Sequence, residues 1–193
     1  MHNLDRAAYD LQAEWTQPWL PHSDASKAQQ EIIQALLTSA AGAEFGKDCF
    51  VAADAKVFTH KLFLGDRSWI ASGAIIRGLV RIDADCSVNP YAHIAGRVTI
   101  GRGCRIASLV SIYGFNHGIS RTDIFIKDQP GTYEGVILHE DIWVGANAVI
   151  LDGVEIGAHS VIAAGAVVTK SFGDYQIIGG NPARVISSRH RDL

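Results

Sequence analysis

His117 is the side chain in this sequence best suited to moving a proton, since imidazole alone among side chains has an unperturbed pKa near neutrality. It stands in the run Tyr113-Gly114-Phe115-Asn116-His117-Gly118, with Asn116 before it and the carboxylates Asp123, Asp128 and Glu134 after it. One histidine among eight says little by itself, so its weight comes from position. The run opens an interruption, at about 113–137, in an otherwise regular repeat. A long loop thrown out from a rigid frame is where binding and catalysis concentrate. The group that orients His117 stays open between a backbone carbonyl and the carboxylate of Asp123, Asp128 or Glu134.

The frame is a period of six. Leu64, Ile70, Ile76, Ile82, Val88, Ile94, Ile100, Ile106 and Ile112 are six apart and all aliphatic; Leu138, Val144, Ile150, Ile156, Ile162 and Val168 resume the period after the interruption. Four residues further on runs a second, mostly smaller column: Ser68, Ala74, Val80, Cys86, Ala92, Val98, Cys104 and Val110, then Ile142, Ala148, Val154, Ser160 and Ala166. Large residues beside small ones imply a narrow interior filled in stacked layers. A hexapeptide period is a sequence signature of a parallel β-helix, in which each short strand pairs with its equivalent one coil away. Phe45, Val51 and Val57 share the period but sit one residue out of register with Leu64. One inserted residue between Phe58 and Phe63 accounts for that.

Residues 1–44 differ in character and read as a helical segment that caps the coil domain of residues 45–188. Leu4, Ala7, Ala8, Leu11 and Trp15 recur at helical spacing until Pro18 and Pro21 stop the element. A second helix is expected from about Asp24 to Ala41, with Ser23 or Ser26 as cap, an apolar stripe of Ile32, Ile33, Leu36 and Leu37, and Gly42 as stop. The three cysteines have no CxxC spacing, so a disulfide framework or zinc knuckle is not suggested, and they read as small core residues. A net charge of −3 argues against a nucleic-acid partner. No apolar run is long enough for a membrane span, and the first residues lack a signal-peptide layout, so a cytoplasmic protein is expected.

Three stretches sharpen the reading: Asp141-Ile142-Trp143-Val144-Gly145-Ala146-Asn147-Ala148-Val149-Ile150-Leu151-Asp152-Gly153-Val154-Glu155-Ile156-Gly157, Val161-Ile162-Ala163-Ala164-Gly165-Ala166-Val167-Val168-Thr169-Lys170, and Ile178-Gly179-Gly180-Asn181-Pro182-Ala183-Arg184-Val185-Ile186. They resemble the hexapeptide-repeat acyltransferases, in the branch of the galactoside and maltose O-acetyltransferases. The resemblance covers about residues 64–188, and 45–63 weakly. It implies a mainly β fold, a left-handed parallel β-helix with three hexapeptides per coil, assembled as a homotrimer. It implies acetyl-CoA as acyl donor, lying in a groove between subunits against the backbone of Ala146 and Ala164, with Thr169, Lys170 and Arg184 towards the nucleotide and its phosphates. His117 would be the general base for direct transfer to a hydroxyl of a saccharide acceptor, which Asn89, Asn116 and Asp123 would contact. A backbone N–H near Gly145-Ala146 would meet the oxyanion, and no metal is expected.

Two departures from that branch, Val88-Asn89-Pro90-Tyr91 and Ala95 in place of an Asp, argue against a simple galactoside or maltose acceptor. Two other classes use the same coil. A zinc lyase of the gamma carbonic anhydrase type gathers three His at a subunit interface; His93 and His117 are present here, but residue 122 is Thr. A non-catalytic scaffold is the other. If coils are 18 residues long, Thr99 and Arg81 lie beneath His117, and His93 beneath Ser111.

Overall fold

The aliphatic column is the axis on which the chain is wound. In a computed structural model, which describes residues 24–189, all fifteen side chains of that column, Leu64 to Val168, are 0% exposed, and the second column is at most 2% exposed. Strands pair in parallel with the residue 18 positions on, as in His93 with Ser111 and Ile82 with Ile100. One face stacks Ile76, Ile94, Ile112, Ile150 and Val168. A second stacks Leu64, Ile82, Ile100, Leu138 and Ile156. A third stacks Val51, Ile70, Val88, Ile106, Val144, Ile162 and Ile178. This is the hexapeptide β-helix expected, and three faces per coil are consistent with the left-handed winding that the resemblance implies.

Corners are where side-chain size is restricted. The strands Ile75–Ile82 and His93–Ile100 bend from the first face to the second at Gly78 and Gly96, whose φ values are +93° and +91°. A Cβ at either would lie 2.5 Å from the carbonyl oxygen of the glycine one coil on, Gly96 or Gly114. The column Gly78-Gly96-Gly114 therefore has no room for another residue type. The extra residue of the early register is also visible: pairing of Lys56–Leu64 with the next strand slips between Thr59 and Lys61, leaving His60 as a bulge.

A third corner carries a ladder of hydroxyl and thiol donors. Cys49 Sγ, Ser68 Oγ, Cys86 Sγ, Cys104 Sγ and Ser160 Oγ donate to the carbonyls of Gly65, Asp83, Gly101, His139 and Gly173 on the next coil, at 3.2, 2.7, 3.1, 3.1 and 3.1 Å. The cysteines are core residues, as expected, and also satisfy buried carbonyls. Burial pushes the Cys49 thiol up, so it stays protonated and able to donate.

Both ends of the coil are covered. Helix α1, Asp24–Ala41, closes the N-terminal end. Gln30 both donates to Val51 O and accepts from Val51 N, each at 2.9 Å, and Gln34 donates to Cys49 O at 3.0 Å, so two amides pair an open strand edge. Ile33 and Leu37 pack on the core, whereas Ile32 and Leu36, expected in the same stripe, are exposed. The helix expected over Leu4 to Trp15 lies outside the described residues. At the other end Gln176–Gly179 turns back as the antiparallel strand Arg184–Ser188. No described helix is long and apolar enough to cross a membrane.

Candidate active site

The interruption leaves the coil at the crowded corner. Strand Ser111–Gly114 reaches Gly114, and the chain then departs instead of turning. Asn116 and Thr132 close the neck with two backbone hydrogen bonds of 3.0 and 2.9 Å. The return leg re-enters as Val136–Leu138, which pairs with Val98–Ile100 and so sets Ile137 over Thr99. The expectation that Thr99 and Arg81 lie beneath His117 therefore fails, because the coil is abandoned three residues before His117. Arg81 beneath Thr99 and His93 beneath Ser111 are as expected.

Inside the loop Gln129, only 8% exposed, acts as a surrogate strand. Its Oε1 accepts from Arg121 N at 3.0 Å and its Nε2 donates to Arg121 O at 2.8 Å. Asp123 is bidentate with Arg121, which holds its carboxyl below the usual range, and Asp128 pairs with Lys127 at 2.7 Å. Among the described residues no hydrogen bond joins the His117 imidazole to Asp123, Asp128 or Glu134.

His117 itself is exposed and lines a cavity of about 240 Å³ with Tyr113, Phe115, Asn116, Leu151 and Asp152. The Asn116 side-chain oxygen accepts the His117 backbone N–H at 2.9 Å, tying the candidate base to the neck. Phe115 meets the imidazole edge-on at 6.2 Å, and Tyr113 meets both Phe115 and His93 in the same way at 6.2 and 5.3 Å. The Tyr113 hydroxyl lies 3.4 Å from His93 Nδ1. Burial, and then Arg77, lowers the His93 pKa, favouring the neutral ring. Among the described residues no group of three or more His, Cys, Asp or Glu is placed to hold a metal. Asn89 lies at a different corner, where its Nδ2 donates to Ile106 O at 2.7 Å.

Asp152 and Thr132 line or support this cavity without having been singled out by sequence. The available signal was register: Ile150 pairs with Ile112, which puts Asp152 in the column of Gly114, where the loop departs.

The residues expected to meet the donor lie one corner away. Gly145 N is spent on Ile162 O at 2.7 Å, and Gly165 N on Ala146 O at 2.9 Å. The N–H groups of Ala146 and Ala164, one coil apart at the same corner, have no acceptor among the described residues. Their methyl groups leave the backbone approachable. Ala183 N donates to Val167 O and Val167 N to Gly180 O, so the segment before Arg184 folds over the last coil. Thr169, Lys170 and Arg184 are exposed; Lys170 Nζ lies 5.6 Å from the Phe172 ring, and Arg184 donates to Ala183 O at 2.7 Å.

A family model, bacterial transferase hexapeptide (six repeats), matches residues 79–114 and 135–170, the coils on either side of the extruded loop. Over those residues the chain is similar to the hexapeptide-repeat transferases. It is 33% identical over 125 residues to WbbJ of Escherichia coli (strain K12), named as a lipopolysaccharide biosynthesis O-acetyl transferase, covering 60% of this chain and 64% of that one. It is 32% identical over 114 residues to a chloramphenicol acetyltransferase of Agrobacterium fabrum, covering 51% and 54%. The matches thus span less than two thirds of either relative. The fold is shared with AntD, an N-acyltransferase from Bacillus cereus solved as a variant with dTDP-4-amino-4,6-dideoxyglucose and coenzyme A: TM-score 0.73, 22% identity, 82% of this chain and 90% of that chain.

Proposed function

We propose that this protein transfers an acyl group, acetyl in the simplest case, from a coenzyme A thioester to a hydroxyl of a sugar or sugar-containing acceptor, with His117 as general base. The observation that carries the reading is an exposed imidazole fixed at the neck of an extruded loop, on a coil that also offers stacked, unpaired backbone N–H groups at Ala146 and Ala164. The O-acetyl transferase relative supports a hydroxyl acceptor.

The chemistry follows from these groups. A thioester is already activated, so no covalent enzyme intermediate is required. His117 takes the proton as the acceptor oxygen attacks the thioester carbonyl. The tetrahedral intermediate collapses with loss of the coenzyme A thiolate, which takes the proton back from the imidazolium. Gly145 N is already bonded, which leaves Ala146 N–H as the backbone donor for the oxyanion. Lys170 and Arg184 supply positive charge for phosphates, with Thr169 beside them. Asn116 lines the same cavity as His117, and we take Asn116, Asp123 and, from a neighbouring copy, Asn89 as the acceptor contacts.

The same geometry supports assembly. Ala146 and the His117 cavity, marked by Asp152, flank opposite edges of one face, six residues and about 20 Å of extended chain apart. Direct transfer across that span is impossible, so the His117 of one copy works with the groove of its neighbour. A closed ring of three copies gives three such sites. Free coenzyme A release from acetyl-CoA with a panel of saccharides tests the activity, and loss of that release in His117→Ala tests the base.

A further inference from the structure

Where the loop leaves and re-enters the coil, two legs of chain must stay together across a corner too small for either. Gly114 departs and Gly135 returns over the same residue below: a Cβ on either would approach Arg97 O, at 2.0 and 3.1 Å respectively. The next coil up places Asp152 directly over this gap. Its Oδ2 accepts from the Thr132 hydroxyl at 2.7 Å and from Glu134 N at 3.3 Å, and its Oδ1 accepts from Gly135 N at 2.7 Å. Gly153 N donates to Gly135 O at 2.8 Å, closing the contact. One carboxylate thus gathers three donors from the return leg. An aspartate suits this task because it accepts on both oxygens and donates on neither.

Thr132 is also the residue that bridges Asn116, and Asn116 in turn holds the His117 N–H. The connection runs Asp152, Thr132, Asn116, His117, every link a hydrogen bond of 3.0 Å or less. Asp152 also faces the cavity that His117 lines. Burial pushes its carboxyl up, but the Thr132 hydroxyl and the N–H groups of Gly135, Glu134 and Gly153 outweigh that and hold it below the usual range.

We propose that Asp152 is a positioning residue, a clasp that pins the return leg of the loop to the coil and through Thr132 and Asn116 fixes His117 for acceptor deprotonation. This rests on the reading of His117 as base. The test pairs Asp152→Ala with Thr132→Val, which removes one donor outside the coil, and Thr132→Ser, which restores the hydroxyl. Trypsin cleavage after Arg121 or Lys127, both inside the loop, reports loop opening without any need for activity. Asp152→Ala is expected to be cut at least about tenfold faster, Thr132→Val to follow it, and Thr132→Ser to match the parent. Acceptor kcat/KM should fall in the same order while the dissociation constant for coenzyme A stays unchanged. Parent-like acceptor kcat/KM in both Asp152→Ala and Thr132→Val overturns the proposal whatever the cleavage rate, as does a fall in kcat/KM that comes with loss of coenzyme A binding. Full activity in His117→Ala would remove the base instead, and the cleavage result would still report on the clasp.

Discussion

Gln129→Met replaces an amide by an apolar chain of similar length and so removes the two short hydrogen bonds to the Arg121 backbone, together with a longer one of 3.4 Å to Ile124 O. The two to Arg121 are of good length, 3.0 Å from Arg121 N and 2.8 Å to Arg121 O, and the side chain is 8% exposed. Each such bond contributes about 1 kcal/mol net. Losing the pair costs about 2 kcal/mol of local stability, which multiplies the open population of the loop by about 30. The coil below makes no use of Gln129, so global unfolding should barely move. Native-state hydrogen exchange resolves the two: amides of residues 121–129 should exchange about 30-fold faster while amides of Ile94, Ile100 and Ile150 keep their protection. Acceptor kcat/KM should fall with it. Parent-like exchange at Arg121, or a loss of protection shared equally by the coil, would refute the assignment of Gln129 as the internal anchor of the loop.

Ser68→Ala deletes a buried hydroxyl that donates to Asp83 O and accepts from Cys86 N, at 2.7 and 2.9 Å. It should destabilise by about 1–3 kcal/mol, whereas Ser68→Cys, the residue the chain itself uses at equivalent positions 49, 86 and 104, should cost less; equal melting temperatures for the two variants would contradict the ladder. Replacing Lys170 and Arg184 by Ala should raise KM for acetyl-CoA by about 10-fold or more through lost charge-assisted contacts, and leave KM for acetyl-pantetheine unchanged; an equal rise for both donors would count against a phosphate role. The folded-state pKa of His93 is lowered by burial and then by Arg77. The unfolded chain therefore takes up that proton first as pH falls. The stability contribution is intact above about pH 6.5 and is lost as the pH drops below it. His93→Phe should flatten the fall in Tm between pH 7.5 and 5.5, and an unchanged slope would contradict this.

The solenoid was legible because one physical requirement repeats at every coil. A narrow interior admits only an aliphatic at one phase and a smaller residue at the next, so Leu64 through Val168 announce themselves without any alignment. The extra residue was legible too, as a slip of one against that beat between Phe58 and Phe63, and the strand pairing places it at His60. The loop was readable only as a gap. Within it the organising contacts are of side chain to backbone, such as Gln129 to Arg121, and carry no periodic signature. Asp123 and Asp128 are taken up by adjacent basic residues, a pairing that sequence spacing permits but does not require. Asp152 escaped for a different reason: it looks like an ordinary turn residue within a motif, and only the registry of Ile150 over Ile112 reveals what stands beneath it. Ile32 and Leu36 show the converse limit, since a helical stripe does not say how wide its supporting surface is.

The role of His117 as the group that takes the acceptor proton is open to direct measurement. Its most direct test is single-turnover transfer from labelled acetyl-CoA to a saccharide acceptor by the parent protein and by His117→Ala, each saturated with donor as checked by binding. General-base catalysis contributes about 10²–10⁴ in rate, so transfer should slow by about that factor while coenzyme A binding is retained. Transfer at the parent rate in His117→Ala would contradict the account.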